Sequence, residues 1–393
     1  SGTISVLPAT TTTLFGVSVT ANNPTPVVSS GLREPSGLAF DSAGDLYVAD
    51  PPRDAVLVLP KTTTTLFGVS VTADTLSSVV DSQLGSPVAA AVDSSWDLFI
   101  DSVLGVGVSG GLGVSDPGGI VAFPQHSGTI FGVPVTADHP TTIVTGSALS
   151  EAIDIAFDSA GNLYISNEGS GTISVLAKST TTLFGVPVFA NTLTTLEKGL
   201  TDPAGLAFDA AGNIYVVEGG VSGTISVLPA TTTTLFGVSV TANVPTTVAS
   251  LLGDPLGLAF DAAGDLYFGQ ALFGTISVLP ATTTTLFGVP VTANAVTTVA
   301  TTTSEPVGLA FDAAGNLYLS SVSISPTGFS GSVSVLAKAN GSIFGVPVTA
   351  DILTAVAGSG LTAPGFMAFD SSGDLFIPDS LSSTVFVLAP PSS

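Results

Sequence analysis

Acidic side chains recur at two places of a repeated sequence pattern, and together they have the chemistry of a cation site. One set stands just before a short apolar segment that usually starts with Pro, and a second set follows another apolar segment. Carboxylate oxygens that arrive from several segments are the ligands that Ca²⁺ and Mg²⁺ prefer. We therefore predict metal-binding candidates at seven carboxylates: Glu34, Asp50, Asp154, Asp202, Glu218, Asp254 and Glu305.

Asp154 is the carboxylate that breaks the pattern, because it stands inside an apolar segment where the usual residue is Gly. A lone buried carboxylate is costly, so we expect water or a cation beside it. A structural role for the whole acidic set is the competing interpretation. Acidic residues before Pro commonly form turns, and a polar residue after a strand can bond to a neighbouring loop.

The chain lacks the side chains that other kinds of functional site need. The chain has no Cys and only two histidines, His126 and His139, which are too few for a zinc site. No nucleophile-elbow pattern accompanies a suitably placed His. The Gly-rich run 107–113 lacks the Lys of a phosphate-binding loop. We therefore predict neither zinc chemistry, nor a Ser-His-Asp triad, nor a nucleotide site.

The charge balance restricts the partners. Six Lys and Arg residues face 29 Asp and Glu residues, which gives a formal net charge of −23. Phosphate backbones and anionic membrane surfaces would be repelled, and no apolar run has the length of a membrane helix. We predict no nucleic-acid partner and no membrane insertion, whereas cations, neutral sugars or another protein stay open. Few Lys, many Thr and no Cys favour an exported bacterial protein, secreted or at the cell surface, and the start at Ser1 indicates a processed chain.

The elements that position these carboxylates belong to a repeat. The segment Pro203–Val217 reads as an apolar strand, a polar turn and a second apolar strand, and its pattern recurs throughout the chain. We number the repeats 1 to 7 by their shared Asp: Asp41, Asp93, Asp158, Asp209, Asp261, Asp312 and Asp370. Each copy holds four short segments rich in β-branched residues, which we call strands A to D. In the A–B turn the Asp carboxylate is expected to accept backbone N–H groups, and the following Gly to take positive φ.

Four-stranded units repeated in this way are typical of a β-propeller. We predict an all-β, seven-bladed β-propeller of four-stranded antiparallel blades in a single domain, 1–393. The ring would be closed by joining N- and C-terminal strands in one blade, with residues 1–30 supplying strands to the blade formed by 364–390. In such a fold the D–A and B–C loops surround one mouth of the central channel, so the acidic candidates would meet there.

One strand is left over by this count. The segment 2–7 is an eighth C-type strand, and 384–388 fills the same place in the last blade. The spare strand either forms an extra strand, displaces its rival, or pairs with another molecule and drives self-assembly.

Two further features surround the repeat. The C–D connector barely varies, as in 284–294, and we interpret Leu286 and Phe287 as an apolar plug between neighbouring repeats, after exposed and extended Thr runs. Two insertions, 102–118 and 322–330, both fall between strands B and C.

The segment Pro35–Asp50, Pro-Ser-Gly-Leu-Ala-Phe-Asp-Ser-Ala-Gly-Asp-Leu-Tyr-Val-Ala-Asp, resembles the NHL repeat, and related copies cover the chain. The resemblance implies a β-propeller of a kind that serves as binding scaffold, sensor, lyase or lactonase. Propellers of the lactonase and strictosidine-synthase-like types place Glu, Asn and Asp around a metal at the mouth. The C–D connector resembles that of secreted bacterial NHL-like propellers.

Three functions are compatible with these features. The first is a secreted, non-enzymatic binding or structural scaffold, since the copies are nearly identical and no catalytic set is concentrated in one of them. The second is a Ca²⁺-dependent lactonase or lyase at the acidic mouth. The third is a filament or lattice subunit that assembles through the spare N-terminal strand.

Overall fold

The structure, a computed structural model, is built from short β-strands and one 3₁₀ helix, Ala271–Phe273. It describes residues 2–8, 12–14, 17–19, 25–32, 38–40, 45–50, 55–66, 69–80, 87–92, 98–102, 119–123, 127–136, 141–145, 149, 152–220, 222–325, 328–343, 346–357, 361, 364, 367–369, 375–379 and 384–389. The chain divides into two compact units: unit 1 is Ser1–Thr3, Thr13–Val17 and Val27–Pro203, and unit 2 is Ile4–Thr12, Ser18–Pro26 and Ala204–Ser393.

Strands precede the first repeat and then recur in sixes. The first strands are β1 (Gly2–Pro8), β2 (Thr12–Leu14), β3 (Val17–Val19) and β4 (Thr25–Leu32). Repeats 1 to 3 contain β5 (Leu38–Phe40), β6 (Leu46–Asp50), β7 (Ala55–Leu59), β8 (Thr64–Leu66), β9 (Val69–Val71), β10 (Ser77–Val80), β11 (Pro87–Val92), β12 (Leu98–Ser102), β13 (Gly119–Phe123), β14 (Gly128–Ile130), β15 (Val133–Val135), β16 (Thr141–Thr145), β17 (Ala152–Phe157), β18 (Leu163–Asn167), β19 (Thr172–Leu176), β20 (Thr181–Leu183), β21 (Val186–Val188) and β22 (Leu193–Lys198).

The later repeats follow the same plan. Repeats 4 to 7 contain β23 (Pro203–Phe208), β24 (Ile214–Glu218), β25 (Gly223–Leu228), β26 (Thr233–Leu235), β27 (Val238–Val240), β28 (Thr246–Leu252), β29 (Pro255–Phe260), β30 (Leu266–Gln270), β31 (Thr275–Leu279), β32 (Thr284–Leu286), β33 (Val289–Val291), β34 (Thr297–Thr301), β35 (Glu305–Phe311), β36 (Leu317–Ser325), β37 (Gly328–Leu336), β38 (Gly341–Ile343), β39 (Val346–Val348), β40 (Leu353–Ala357), β41 (Ala368–Phe369), β42 (Leu375–Asp379) and β43 (Thr384–Ala389).

The strand order within the sheets is the predicted A-B-C-D order. In repeat 5, for example, the order is β29-β30-β31-β34, and each register that the structure gives is antiparallel. Strand B lies inside its sheet and is buried along its whole length in β6, β18 and β30. Such continuous burial requires apolar packing on both faces, and sheets of successive repeats provide it.

The prediction of seven four-stranded blades is wrong. Among the described residues, six sheets have four strands, one has five, and each of seven connectors adds a separate two-stranded ribbon. The five-stranded sheet has the order β4-β1-β43-β42-β41, so the spare N-terminal strand is its additional member. β1 joins this sheet because it has the sequence of a C-type strand. Such a strand can form hydrogen bonds along both of its edges, here with β43 and β4. The single-domain boundary 1–393 stays a prediction.

The ribbons are tight β-hairpins inside the C–D connector, which the sequence interpretation did not anticipate. In repeat 5, Leu286 pairs with Val289, so Phe287 and Gly288 are the only turn residues, with φ of 46° and 72°. Positive φ at both positions defines the type I′ turn that suits a two-residue hairpin. Phe in this conformation costs about 1 kcal/mol, and ring packing offsets it: the Phe287 and Tyr267 rings meet edge to face, with centroids 6.0 Å apart.

The predicted plug is confirmed within unit 2. Phe287 is buried in one cluster with Tyr267 of its own repeat and with Leu317 and Leu319 of the next. The Thr run before the hairpin is exposed, as predicted, but only its second half is extended: 282 and 283 form a bend, and 284 and 285 belong to β32. The predicted insertion 322–330 lies between strands B and C, where β36 and β37 continue their pairing as far as Ser325 and Gly328. Most of the insertion 102–118 lies outside the described residues, as do Trp96 and both histidines.

Glycine in strand A permits successive repeats to approach closely. A Cβ on Gly205 would lie 3.0 Å from the carbonyl oxygen of Leu256, and one on Gly257 would lie 2.8 Å from that of Val307. Both contacts are to backbone, which cannot rotate away. Asp154 occupies the same position of repeat 3, so this repeat accommodates a side chain where repeats 4 and 5 accommodate none.

We expect Gly257→Ala to lower the free energy of unfolding by about 2 kcal/mol, because its Cβ overlaps a neighbouring backbone. Gly341→Ala is the matched control, since a Cβ there meets nothing within 4 Å, and its stability should be unchanged or slightly higher. Urea denaturation of both variants checks this, and equal losses would contradict the close-approach argument.

Candidate functional site

The A–B turns are closed by their shared aspartate, as predicted. In the four described copies, Asp158, Asp209, Asp261 and Asp312, Oδ1 accepts backbone N–H groups two and four residues later at 2.9–3.0 Å. The turn glycines have φ of 80–84°. Asp41, Asp93 and Asp370 lie outside the described residues.

The second oxygen of the shared aspartate is also occupied in three of these turns. In repeat 4, Asn213 Nδ2 and Tyr215 Oη donate to Asp209 Oδ2 at 2.7 and 3.3 Å. Burial, followed by the negative charge of Asp209, raises the pKa of Tyr215 far above its ordinary value, so the hydroxyl stays a donor. Repeats 3 and 6 have the same bonds. A carboxylate with four donors has no lone pair left for calcium, so these turns are structural.

The turn of repeat 5 differs from those of repeats 3, 4 and 6, because Asp265 stands where they have asparagine, as Asp45 does in repeat 1. Asp265 Oδ1 accepts from Ala281 N at 2.7 Å, the bond that Asn213 Oδ1 makes with Ala230 N at 2.8 Å. Its other oxygen therefore takes the place of the amide nitrogen and faces Asp261. Burial, helped by the charge of Asp261, raises the pKa of Asp265, while the Ala281 N–H and Lys338 act in the opposite direction.

The tyrosine beside this turn also lacks a hydrogen bond that its counterparts make. Among the described contacts, Tyr267 Oη donates to neither Asp261 nor Asp265, whereas Tyr164, Tyr215 and Tyr318 all donate to their aspartate. Burial and the two carboxylates raise the pKa of Tyr267. Asp261 Oδ2 thus lacks the two donors that its counterparts have.

We expect Asp265→Asn to raise the free energy of unfolding by about 1 kcal/mol at neutral pH, because an N–H donor replaces a facing oxygen. The pKa of Asp265 is raised by folding, so protonation favours the folded state. The stabilising contribution of Asp265 should be complete below the ordinary aspartate pKa of about 4 and be lost as pH rises through the raised pKa; the variant should lack this loss.

The reciprocal change, Asn213→Asp, tests the same idea in a turn that is complete. It should lower stability by about 1 kcal/mol at neutral pH and by less in acid. Urea denaturation across this pH range measures both variants, and parallel pH profiles of wild type and Asp265→Asn would refute the explanation.

The polar residues that the sequence places after strand B belong to that strand in the structure, and they bond to strand C of their own sheet. Glu218 Oε1 accepts from Thr224 Oγ1 and Ser226 Oγ at 3.0 and 2.6 Å. Gln270 Nε2 approaches Thr275 Oγ1 and Ser277 Oγ at 3.2 and 2.7 Å. Asn167 makes corresponding contacts in repeat 3, and Ser321 bonds to Ser332 in repeat 6. The side chains that were candidates for a ligand site therefore brace adjacent strands.

Asp254 ties two successive B–C loops together. Its Oδ1 accepts from Gly220 N at 2.8 Å, and its own N–H donates to Gly220 O at 3.0 Å. Its carbonyl oxygen accepts from Ala271 N at 3.0 Å. Asp254 has φ of 52°, so the residue accepts backbone strain in a position where it satisfies three bonds.

The remaining candidates have diverse surroundings. Asp50 is buried at the end of β6, and Asp154 is half-buried, with its N–H donating to Ser166 Oγ at 3.1 Å. Asp202 and Glu305 are exposed, and Glu34 lies outside the described residues. Within the described part of the chain, no three His, Cys, Asp or Glu side chains are grouped closely enough to hold a metal ion. A calcium site at these residues stays a prediction.

Asp202 is a natural control for Asp254, because it has φ of 42° and is exposed. We expect Asp254→Ala to lower the free energy of unfolding by about 2 kcal/mol through loss of a charged acceptor. Asp202→Ala carries the same backbone strain and should cost clearly less. Thermal and urea denaturation would measure the difference; equal costs would show that the Gly220 bond contributes nothing.

Sequence reasoning missed an apolar patch on the loops of unit 2. Leu251, Leu272 and Phe273 are 80%, 57% and 55% exposed, and we call them the apolar loop patch. Leu272 N donates to Gly253 O at 3.1 Å, and the Phe273 ring covers Gly253 so closely that a Cβ there would meet it at 2.6 Å. Comparison of the repeats would have found it, because 168–171 and 219–222, the corresponding loops of repeats 3 and 4, are largely Gly and Ser.

A cleft of about 430 Å³ lies elsewhere in unit 2, beside the ribbon of repeat 4. Phe236 and Tyr215 form one side, and Phe260 and Asn294 of repeat 5 form the other. All four belong to repeated positions, so the cleft is a consequence of ribbon packing.

No protein-family model and no curated protein matches this sequence. Solved structures do match the fold. A streptogramin B lyase has a TM-score of 0.57 at 10% identity, over 91% of this chain and 94% of that one. The selenomethionine-substituted virginiamycin B lyase from Staphylococcus aureus has a TM-score of 0.55 at 10% identity, over 89% and 93%. The extracellular domain of a protein described as a one component system from B. thetaiotaomicron has 0.55 at 10% identity, over 92% of this chain and 39% of that one.

These similarities establish the fold and nothing further, because identity is far below 25%. The protein is an all-β propeller, which confirms the coarse fold prediction. Among its described residues, no helix has the length and hydrophobicity to cross a membrane.

Proposed function

We propose that this protein is a secreted or cell-surface β-propeller of NHL-like type that acts as a non-enzymatic binding scaffold. The observation that carries the proposal is the internal use of its polar side chains. Glu218, Gln270 and Asp254 bond to their own strands and loops instead of converging on a substrate. Catalysis needs polar groups whose hydrogen bonds become strongest in the transition state, and side chains that are already engaged are poorly suited to this.

The repeats add a second argument. A catalytic site breaks internal symmetry around a few polar residues, yet here the polar turn and ribbon residues recur from copy to copy. Among the described residues, the exposed side chains that break the repeat include the apolar ones of the loop patch. Exposed apolar surface is a property of interaction sites.

The structural neighbours support the proposed secreted or surface location, and they also suggest the competing function, that of a lyase. One neighbour is an extracellular domain, as a secreted or surface protein would be. Two are lyases, and another is a virginiamycin B lyase in a catalytically inactive form, with one histidine replaced by alanine. This chain has only two histidines, both in the connector region of repeat 2. Self-assembly through the spare strand is left out of the proposal, because β1 stands between β43 and β4 in the strand order.

A calcium titration and an activity screen test the proposal together. We expect no saturable heat from CaCl₂ in calorimetry and no rise in melting temperature, since a ligand that binds only the folded state must raise it. We also expect no turnover of simple lactones or of virginiamycin B. Glu218→Gln should lower stability, because Thr224 and Ser226 lose a charged acceptor.

The rival predicts different results for the same variants. A lyase or lactonase would show turnover that depends on calcium and is lost in Glu218→Gln, at unchanged melting temperature. Such a result would overturn the scaffold proposal.

A further inference from the structure

The apolar loop patch has a defined backbone frame. The 3₁₀ helix Ala271–Phe273 is fixed to the preceding D–A loop by Ala271 N to Asp254 O and Leu272 N to Gly253 O, at 3.0 and 3.1 Å. Gly274 closes it with φ of 60°, and Thr302 N donates to Gly274 O at 2.8 Å. The patch is therefore presented by hydrogen-bonded backbone on both sides.

Leu251 stands two residues before Gly253 in the chain and has a costly backbone conformation. Its φ of 60° lies in the left-handed region, which a leucine rarely adopts, and its side chain is 80% exposed. Folding gains little from an exposed leucine in a strained backbone. Strained residues that persist are concentrated at ligand clamps and switch regions.

The patch lies in surroundings with one sign of charge. Between Lys198 and Lys338 the sequence contains no Lys, Arg or His, and four of its eight Asp and Glu residues lie outside the A–B turns, which are at the other ends of the strands. Asp254 lies on the D–A loop that supports the patch, and the exposed Glu305 follows the loop that Gly274 contacts. An apolar surface with acidic neighbours favours a partner that is apolar at its centre and basic at its flanks.

The position is also the exception among exposed apolar residues. The other exposed large apolar side chains of the described chain, Phe189, Val244, Val296 and Ile352, all stand shortly after a ribbon. Repeats 3 to 6 have one of them each, whereas two adjacent exposed apolar residues occur in the loop of repeat 5 alone among the described B–C loops.

We propose that the apolar loop patch binds a segment of a partner protein in which an apolar side chain is flanked by Lys or Arg. Phe273 and Leu272 are the anchors, and Asp254 and Glu305 supply the attraction for the basic flanks. This inference rests on the proposed binding function and names the surface and the partner chemistry for it.

Three synthetic peptides test the proposal with the full chain. They share one amphipathic apolar face of Leu and Phe and carry Lys, Gln or Glu on its flanks. Fluorescence anisotropy should show the tightest binding for the Lys peptide, with affinity that falls as salt rises. Phe273→Ser should weaken this binding at least tenfold, as loss of an aromatic anchor does, and Glu305→Gln should reduce its salt dependence.

Matched variants separate recognition from folding. Phe189→Ser removes an equally exposed aromatic ring that follows a ribbon of unit 1 and should bind like wild type. Leu272→Ser provides a second anchor variant in case Phe273→Ser loses stability, and melting temperatures report this. Equal binding of the Lys and Glu peptides, or equal loss in Phe189→Ser, would overturn the proposal, as would absence of binding to all three. The calcium and turnover experiments would still decide the scaffold proposal separately.

Discussion

A single aspartate carboxylate in each described A–B turn determines how the surrounding residues can pack. Its first oxygen accepts two backbone N–H groups, and in three of the four described copies its second oxygen accepts an asparagine amide and a tyrosine hydroxyl. The tyrosine ring then packs against residues outside the turn. The ring of Tyr215 lies 5.9 Å from that of Phe236 in the ribbon and 5.0 Å from that of Phe260 in the next repeat, edge to face in both cases.

This chain of contacts links local and long-range structure. Because the turn holds the tyrosine, and the tyrosine holds the ribbon and the adjacent repeat, one side chain in each repeat orders several elements. Tyr267 makes the same ring contacts without the hydroxyl bond. The geometry therefore depends mainly on aromatic packing, and the hydrogen bond adds to its stability. The Asp265 turn shows that this frame tolerates a missing donor.

In a repeat protein, residues that serve the fold and residues that serve recognition stand at different kinds of position. Residues that recur make hydrogen bonds and packing contacts that most copies share, such as those of the aspartate turn, the strand A glycine and the bracing between strands B and C. Residues that do not recur are available for other purposes. In unit 2 the acidic residues are bonded or solvated individually, whereas Leu272 and Phe273 have an exposure that no architectural need explains.

The sequence alone determined the strands, the turns and the all-β propeller class, because these depend on alternation, on Asp and Gly chemistry, and on repetition. It also placed the Leu-Phe plug and the position of the insertion at 322–330. It did not determine the two-residue ribbon turn, since a phenylalanine at positive φ is stable only when its ring is buried against Tyr267 and its neighbours.

Only the tertiary structure decided what the candidate site residues do. Glu218 and Gln270 follow strand B in the sequence at the place where a ligand-binding residue would stand, yet strand C brings hydroxyl groups within 3.2 Å of them. The fifth strand of one sheet likewise depends on pairing between distant segments. Hydrogen-bond partners far apart in the chain leave no local signal, so the sequence could propose these side chains for a site but the fold assigned them to its own stability.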